Sequence, residues 1–237
     1  MNEPQKLMFS QSINAQSAVR KEILGAPRTL HDGRSFRYCR NGGTLLAAGK
    51  PVESLDAVAN NINLAVVADV AIGSTTVRVT NGGTAVTEDQ YQWGYLQINA
   101  GTGLGRQYLI DTHTAESTGT GTITVQLAEP IGVALTSATS KASLIYNPFT
   151  GIVVATAATK TPAGVPPIAV TALYYFWSQT GGVGCALNTN AVAVGTELSG
   201  GAGLLAARTA WTDNSYGYTY ATAGVTAEYK PIILTMK

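Results

Sequence analysis

From Arg34 onward, apolar and polar side chains alternate with a period of two, in short runs separated by glycine-rich turns. Arg34-Ser-Phe-Arg-Tyr-Cys is the first such run, and Asn41-Gly-Gly after it supplies a turn that tolerates positive φ. Further runs cover 63–70, 75–80, 95–99, 107–111, 121–127 and 142–146. Between them stand Ile72-Gly-Ser, Asn81-Gly-Gly, Ala100-Gly-Thr-Gly-Leu-Gly and Ser117-Thr-Gly-Thr-Gly. Short strands and turn signals at this spacing predict a sandwich or barrel. Beyond them, 147–166 reads as an extended apolar segment followed by Pro162-Ala-Gly-Val-Pro-Pro, a seam between units. The last part holds Ala169-Val-Thr-Ala-Leu-Tyr-Tyr-Phe-Trp, an aromatic strand, and a closing Pro231-Ile-Ile-Leu-Thr-Met that predicts a strand locked in a sheet.

Helical signals are few. One short turn is expected around 53–58, and the apolar positions Ile13, Ala18, Ile23 and Leu24 are too loosely spaced for an amphipathic helix. The expectation is therefore an all-β fold: a sandwich or barrel-like unit with a second β unit inserted in it and an extended N-terminal arm. The boundaries are 1–32 for the arm, 33–61 with 147–237 for the main domain, and 62–146 for the insertion.

Composition narrows this picture. The chain has 237 residues, 45% of them apolar and only 12% charged, with 26 glycines. Low charge with high apolar content excludes disorder over most of its length, and 237 residues bury a sizeable core without disulfide or metal staples. No apolar run reaches the ~18–20 residues of a bilayer span, and the first residues lack the apolar centre of a secretion signal, so synthesis in a cytoplasm is expected. Cys39 and Cys185, far apart in sequence, are expected as free, buried thiols. Net charge is +1, but residues 1–50 carry eight basic against three acidic groups, +5, and the rest seven against eleven, −4. A basic arm on a faintly acidic body suggests docking on something else.

Reactive chemistry finds little support. The glycines of 99–106 lead into a strand pattern, not a helix N-terminus, so a hairpin is expected there instead of a phosphate cradle. The two histidines, His31 and His113, lack convincing partners at metal-ligand spacing; Asp111 near His113 makes at most a weak pair. Adjacent Glu88 and Asp89 point apart on a strand or loop. Neither cysteine has a nearby base, and Cys39 beside Arg40 faces the other side of its strand. The Tyr174-Tyr-Phe-Trp cluster reads as core filler, with ring stacking on a ligand as the alternative. No catalytic, cofactor or metal site is expected. The positions expected to contact partners are Arg20, Lys21, Arg28, Arg34, Arg37 and Arg40, against the ordinary alternative of solvated surface cations. Two other readings are weighed: a glycan-binding module with Tyr91, Trp93 and Tyr95 as a stacking face, and a cell-wall hydrolase using Glu88, Asp89 and Asp111.

Gly33-Arg-Ser-Phe-Arg-Tyr-Cys-Arg-Asn-Gly-Gly-Thr-Leu-Leu-Ala-Ala-Gly-Lys, Asp89-Gln-Tyr-Gln-Trp-Gly-Tyr-Leu-Gln-Ile-Asn, Asn147-Pro-Phe, Gly164-Val-Pro, Tyr174-Tyr-Phe-Trp-Ser-Gln-Thr-Gly-Gly and Ala227-Glu-Tyr-Lys-Pro-Ile-Ile-Leu occur in this order. This order of short motifs, across most of 33–237, resembles virion structural proteins of tailed bacteriophages, nearest the head decoration or cement proteins. The hairpin at 101–105 and the arm match no part of that pattern. The resemblance implies a non-enzymatic β module on the capsid exterior, made in the host cytoplasm, with the major capsid protein and other copies of itself as partners. It implies a homo-oligomer, such modules often being trimeric, with no nucleic acid, no membrane and no cofactor. A tail or minor capsid protein is the alternative within the same class.

Overall fold

The structure, a computed structural model, describes residues 9–189, 192–221 and 227–236. Its strands are β1 Pro27–Thr29, β2 Ser35–Arg40, β3 Val52–Glu53, β4 Leu64–Ala65, β5 Thr76–Thr80, β6 Tyr95–Ala100, β7 Gln107–His113 and β8 Thr122–Leu127. They continue as β9 Lys141–Ile145, β10 Val153–Val154, β11 Pro162–Gly164, β12 Tyr175–Asn188, β13 Glu197–Gly201, β14 Leu204–Ala207, β15 Gly217–Thr219 and β16 Glu228–Thr235. Among the described residues the helical content is a single 3-10 turn, Ala59–Asn61, so the fold is all-β.

Two compact units divide the chain: Met1–Leu55 with Pro148–Lys237, and Asp56–Asn147. The insertion thus starts before 62, because Asn61 belongs to the second unit, where its Nδ2 donates to the Tyr91 hydroxyl at 2.6 Å. The helical turn expected at 53–58 lies instead at 59–61, since Val52 and Glu53 are both buried in a sheet. The proline-rich 162–166 is not a seam. Pro162-Ala-Gly is β11, an outer strand of the sheet β10–β3–β11, a place where a missing ladder donor is tolerated.

In the first unit, β12 organises everything. Its first half pairs with β2, Trp177 opposite Tyr38, and its second half pairs with β16 from Gly181 to Asn188. From β12 the pairing runs through β14, β13, β15 and β16 back to β12, a ring whose β12–β14 contact is the single pair Asn188 with Leu205. Ala186, Leu198, Leu205, Tyr216, Ile232 and Leu234 fill this ring. Each large apolar side chain removed from water there contributes roughly 1.5–3 kcal/mol.

The expected free arm is not one over its described part. β1 adds to β2, and Ser17 bridges to Tyr175. Gln11 lies buried: its Oε1 accepts from the Tyr38 hydroxyl at 2.7 Å, its Nε2 donates to the Tyr175 carbonyl at 3.0 Å, and its carbonyl accepts from Trp177 Nε1 at 3.1 Å. The physical reason is the aromatic face of β2 and β12, which needs a cover. Phe9 meets Trp177 edge-on at 5.1 Å and supplies part of it.

The second unit is a six-stranded sheet in the order β4–β9–β6–β7–β8–β5, its ends joined by a bridge between Val66 and Val79. The expected run 63–70 is broken into β4 and isolated bridges at Val66 and Val70. Alternation is clean in β5 and β8, where Val77, Val79, Ile123 and Val125 point in and Arg78, Thr124 and Gln126 point out; β9 departs from it, burying Ala142, Ser143 and Leu144 in succession. The 101–105 segment closes the β6–β7 hairpin, with the Gly105 N–H on the Ile98 carbonyl at 2.8 Å.

Candidate interaction surface

The six cations singled out by sequence do not form one patch. Three of them brace the first unit. The Arg28 guanidinium lies 5.1 Å from the Phe9 ring centre and 5.5 Å from that of Trp177, and donates to the Gln11 carbonyl at 2.8 Å. Arg37 donates to the Gly25 carbonyl at 3.0 Å beside the Phe149 ring. Arg40 sits 5.6 Å from the Tyr175 ring, with its Nε buried. Arg34 pairs with Asp32 at 2.7 Å; this bond, with the Arg34 backbone N–H first among the causes, holds the Asp32 carboxyl below its usual range. Arg20 and Lys21 are exposed on the strap that covers the aromatic face. Contacts within one chain, cation–π or carbonyl for Arg28, Arg37 and Arg40 and an ion pair for Arg34, therefore account for four of the six.

The other candidates separate as cleanly. Tyr91 is buried at the centre of the second unit, stacked on Tyr146 at 4.5 Å, and Tyr91 and Trp93 belong to a turn ahead of β6, so the expected stacking face with Tyr95 does not form. Burial pushes the Tyr91 hydroxyl upward in pKa. Asp89 Oδ1 is occupied by the His113 backbone N–H at 2.8 Å, while Glu88 and Asp111 are exposed. The His113 ring is occupied at both nitrogens: Nε2 accepts the Tyr91 N–H at 2.8 Å and Nδ1 faces the Thr114 carbonyl at 3.0 Å. Asp111 and His113 therefore do not share a ligand. His31 is exposed in the turn before β2. Among the described residues no group of three or more His, Cys, Asp or Glu gathers at metal-binding distance.

The thiols differ from each other. Cys39 is buried among Leu46, Val52 and Phe176, and desolvation pushes it well above the usual thiol pKa. Cys185, expected buried, is exposed. It stands on the outward side of β12, where Ala186 takes the inward position and fills the ring.

That outward side is the surface sequence reasoning missed. Register places Val183, Ile233 and Tyr218 in one row across β12, β16 and β15, and Cys185 beside Pro231 in the next. Val183, Tyr218, Tyr220 and Tyr229 are exposed, and these rows carry no charged residue on β12, β16 or β15; Glu197, opposite Tyr218 on β13 and paired with Arg208, borders the first row. An open groove of about 560 Å³ runs along it, walled by Gly49, Val165, Pro167, Cys185 and Tyr229, with Arg34 also on its lining. Contiguous uncharged, aromatic-bearing surface of this kind marks interaction sites. Its sequence signal was the alternation at 228–235, in which Tyr229, Pro231 and Ile233 share one side. Trp211, 88% exposed on the turn after β14, was also missed, since its neighbours read only as a polar turn. Comparison with protein-family models, curated proteins and solved structures finds no match to this chain.

Proposed function

We propose that this protein is a non-enzymatic structural module that binds a protein lattice in many copies, a capsid decoration protein of the tailed-phage type. The observation that carries this reading is the uncharged outward face of β12, β16 and β15, with Val183, Ile233, Tyr218 and Pro231 in register. Burying it against another protein removes apolar area from water without stripping ions of their hydration, a cost of several kcal/mol per ion. The motif order across 33–237 directs the reading to phage heads, and the two nearly closed β units leave few free edges for other contacts. A module that binds the assembled shell and not its dissociated subunits stabilises the shell by mass action, about 2.7 kcal/mol per site at a hundredfold excess over Kd.

The test is cosedimentation of the purified protein with heads that lack it, together with the temperature at which those heads rupture. Saturable binding and a raised rupture temperature are expected, both weakened by Ile233→Lys on the exposed face. Heads that neither retain the protein nor gain stability would remove the proposal.

A further inference from the structure

The turn between β14 and β15 is arranged around one residue. Arg208 Nη1 pairs with Glu197 at 2.9 Å, its Nε donates to the Ala210 carbonyl at 3.1 Å, and its Nη2 to the Trp211 carbonyl at 2.6 Å. Asp213 Oδ2 accepts the backbone N–H groups of Thr209 and Ala210 at 3.2 and 3.0 Å. These bonds fix the backbone on both sides of Trp211, yet the indole itself is 88% exposed. A tryptophan usually buries roughly 150–250 Å². Holding one in water on a turn already ordered lowers the entropy lost when it binds, and tryptophan is the side chain most enriched among interface anchors.

The same unit carries a receptor of matching chemistry. The groove beside Tyr229 has the size of sites that take small organic groups. Gly49, at φ +71°, makes its wall possible: a Cβ there would stand 2.5 Å from Tyr229 Cε1, so only glycine lets the ring lie against the backbone. Gln179 lines the groove and donates its Nε2 to the Gly181 and Val183 carbonyls at 3.1 and 2.9 Å, which leaves its amide oxygen to accept an indole N–H. Arg34 adds a cation that suits an aromatic face.

The groove suits a flat aromatic group with one N–H donor, and the chain displays such a group that its own fold leaves uncovered. We infer that Trp211 of one copy seats in the Gly49–Cys185–Tyr229 groove of a second copy. Knob and groove are different surfaces, so the contact is head-to-tail and each copy uses both, closing a ring where the rotation allows it. The inference rests on the reading of this face as protein-binding and names the neighbour at its groove; Ile233, Tyr218 and Tyr220 are left for the lattice.

The test combines sedimentation velocity with alkylation of Cys185 by a maleimide, both on the full chain over a range of concentrations. Wild-type mass rises with concentration, and alkylation slows about tenfold once roughly nine grooves in ten are filled. Trp211→Ala, with an unchanged circular dichroism spectrum, stays monomeric and alkylates at a concentration-independent rate; Val183→Lys, which alters the groove, does the same. A wild-type protein that remains monomeric throughout, or a Trp211→Ala variant that assembles and protects Cys185 as wild type does, overturns the inference. Head binding separates it from the functional reading: wild type that self-associates through Trp211 and ignores heads keeps this contact and discards the lattice, and monomeric wild type that coats heads does the reverse.

Discussion

Replacing Gln11 by alanine tests whether the N-terminal strap is part of the fold. Gln11 is 5% exposed, and its side chain accepts from the Tyr38 hydroxyl at 2.7 Å and donates to the Tyr175 and Ala15 carbonyls at 3.0 and 2.9 Å. Truncation strands the Tyr38 O–H as a buried donor, a loss of about 1–3 kcal/mol. The Tyr175 carbonyl keeps its bond from the Ser17 N–H, which limits the damage there. A void beside Trp177 adds about 1 kcal/mol, so the expected destabilisation is about 2–4 kcal/mol. Urea unfolding followed by tryptophan fluorescence reads this, since Trp177 is buried under the strap. Tyr38→Phe removes the other end of the bond, and the double variant then isolates a coupling of about 1 kcal/mol. A Gln11→Ala cost below about 0.5 kcal/mol, the value of an ordinary surface substitution, would refute the account of a strap folded onto its own sheet.

Other consequences are equally concrete. Native protein, dilute enough for the groove to stand open, gives one fast thiol equivalent with a disulfide reagent, from exposed Cys185, and a second after unfolding, from Cys39, whose thiol is buried and raised in pKa; two fast equivalents would contradict the packing. Gly217→Ala puts a Cβ 1.9 Å from the Ile233 carbonyl at φ +145°, and a loss above about 4 kcal/mol, read as insoluble or unfolded protein, is expected. Gly73→Ala, at φ +90° with nothing within 4 Å, costs about 1–2 kcal/mol in the same assay. The Asp213 carboxyl is held below its usual value of 3.8, first by the Ala210 N–H and then by Thr209. A lowered folded pKa gives stability that is complete above 3.8 and lost as pH falls through the lower folded value. The Ala210 amide shift in NMR should therefore titrate below 3.8, and titration at or above it would contradict the turn geometry.

Sequence periodicity exposed much of the second unit, because the sides of its strands face opposite solvents: Val77, Val79, Ile123 and Val125 inside, Arg78, Thr124 and Gln126 outside. It failed where a contact distant in sequence changes that rule. Tyr175, Phe176, Trp177 and Ser178 are all buried because residues 9–24 cover one side of β12, and no local pattern marks Gln11 as the residue that bonds there. The basic residues of the first fifty looked like a docking arm, yet Arg28 in β1 and Arg37 and Arg40 in β2 are held by aromatic rings and carbonyls that other segments of the first unit supply. Cys185 sits in an uncharged run that suggests a core, and only its register with Pro231 places it outside. Trp211 is the converse: one aromatic among Thr, Ala, Asp and Asn, whose exposure follows from bonds of Arg208 and Asp213 that spacing alone does not distinguish from any polar turn.

Cryo-electron microscopy of intact particles assembled in the presence of this protein tests its central claim most directly. Ordered density for both β units at repeated positions outside the shell, with Ile233 and Tyr218 turned toward the underlying subunits, is the predicted result. Particles that carry no such density, or carry it with that face directed into solvent, would contradict the account.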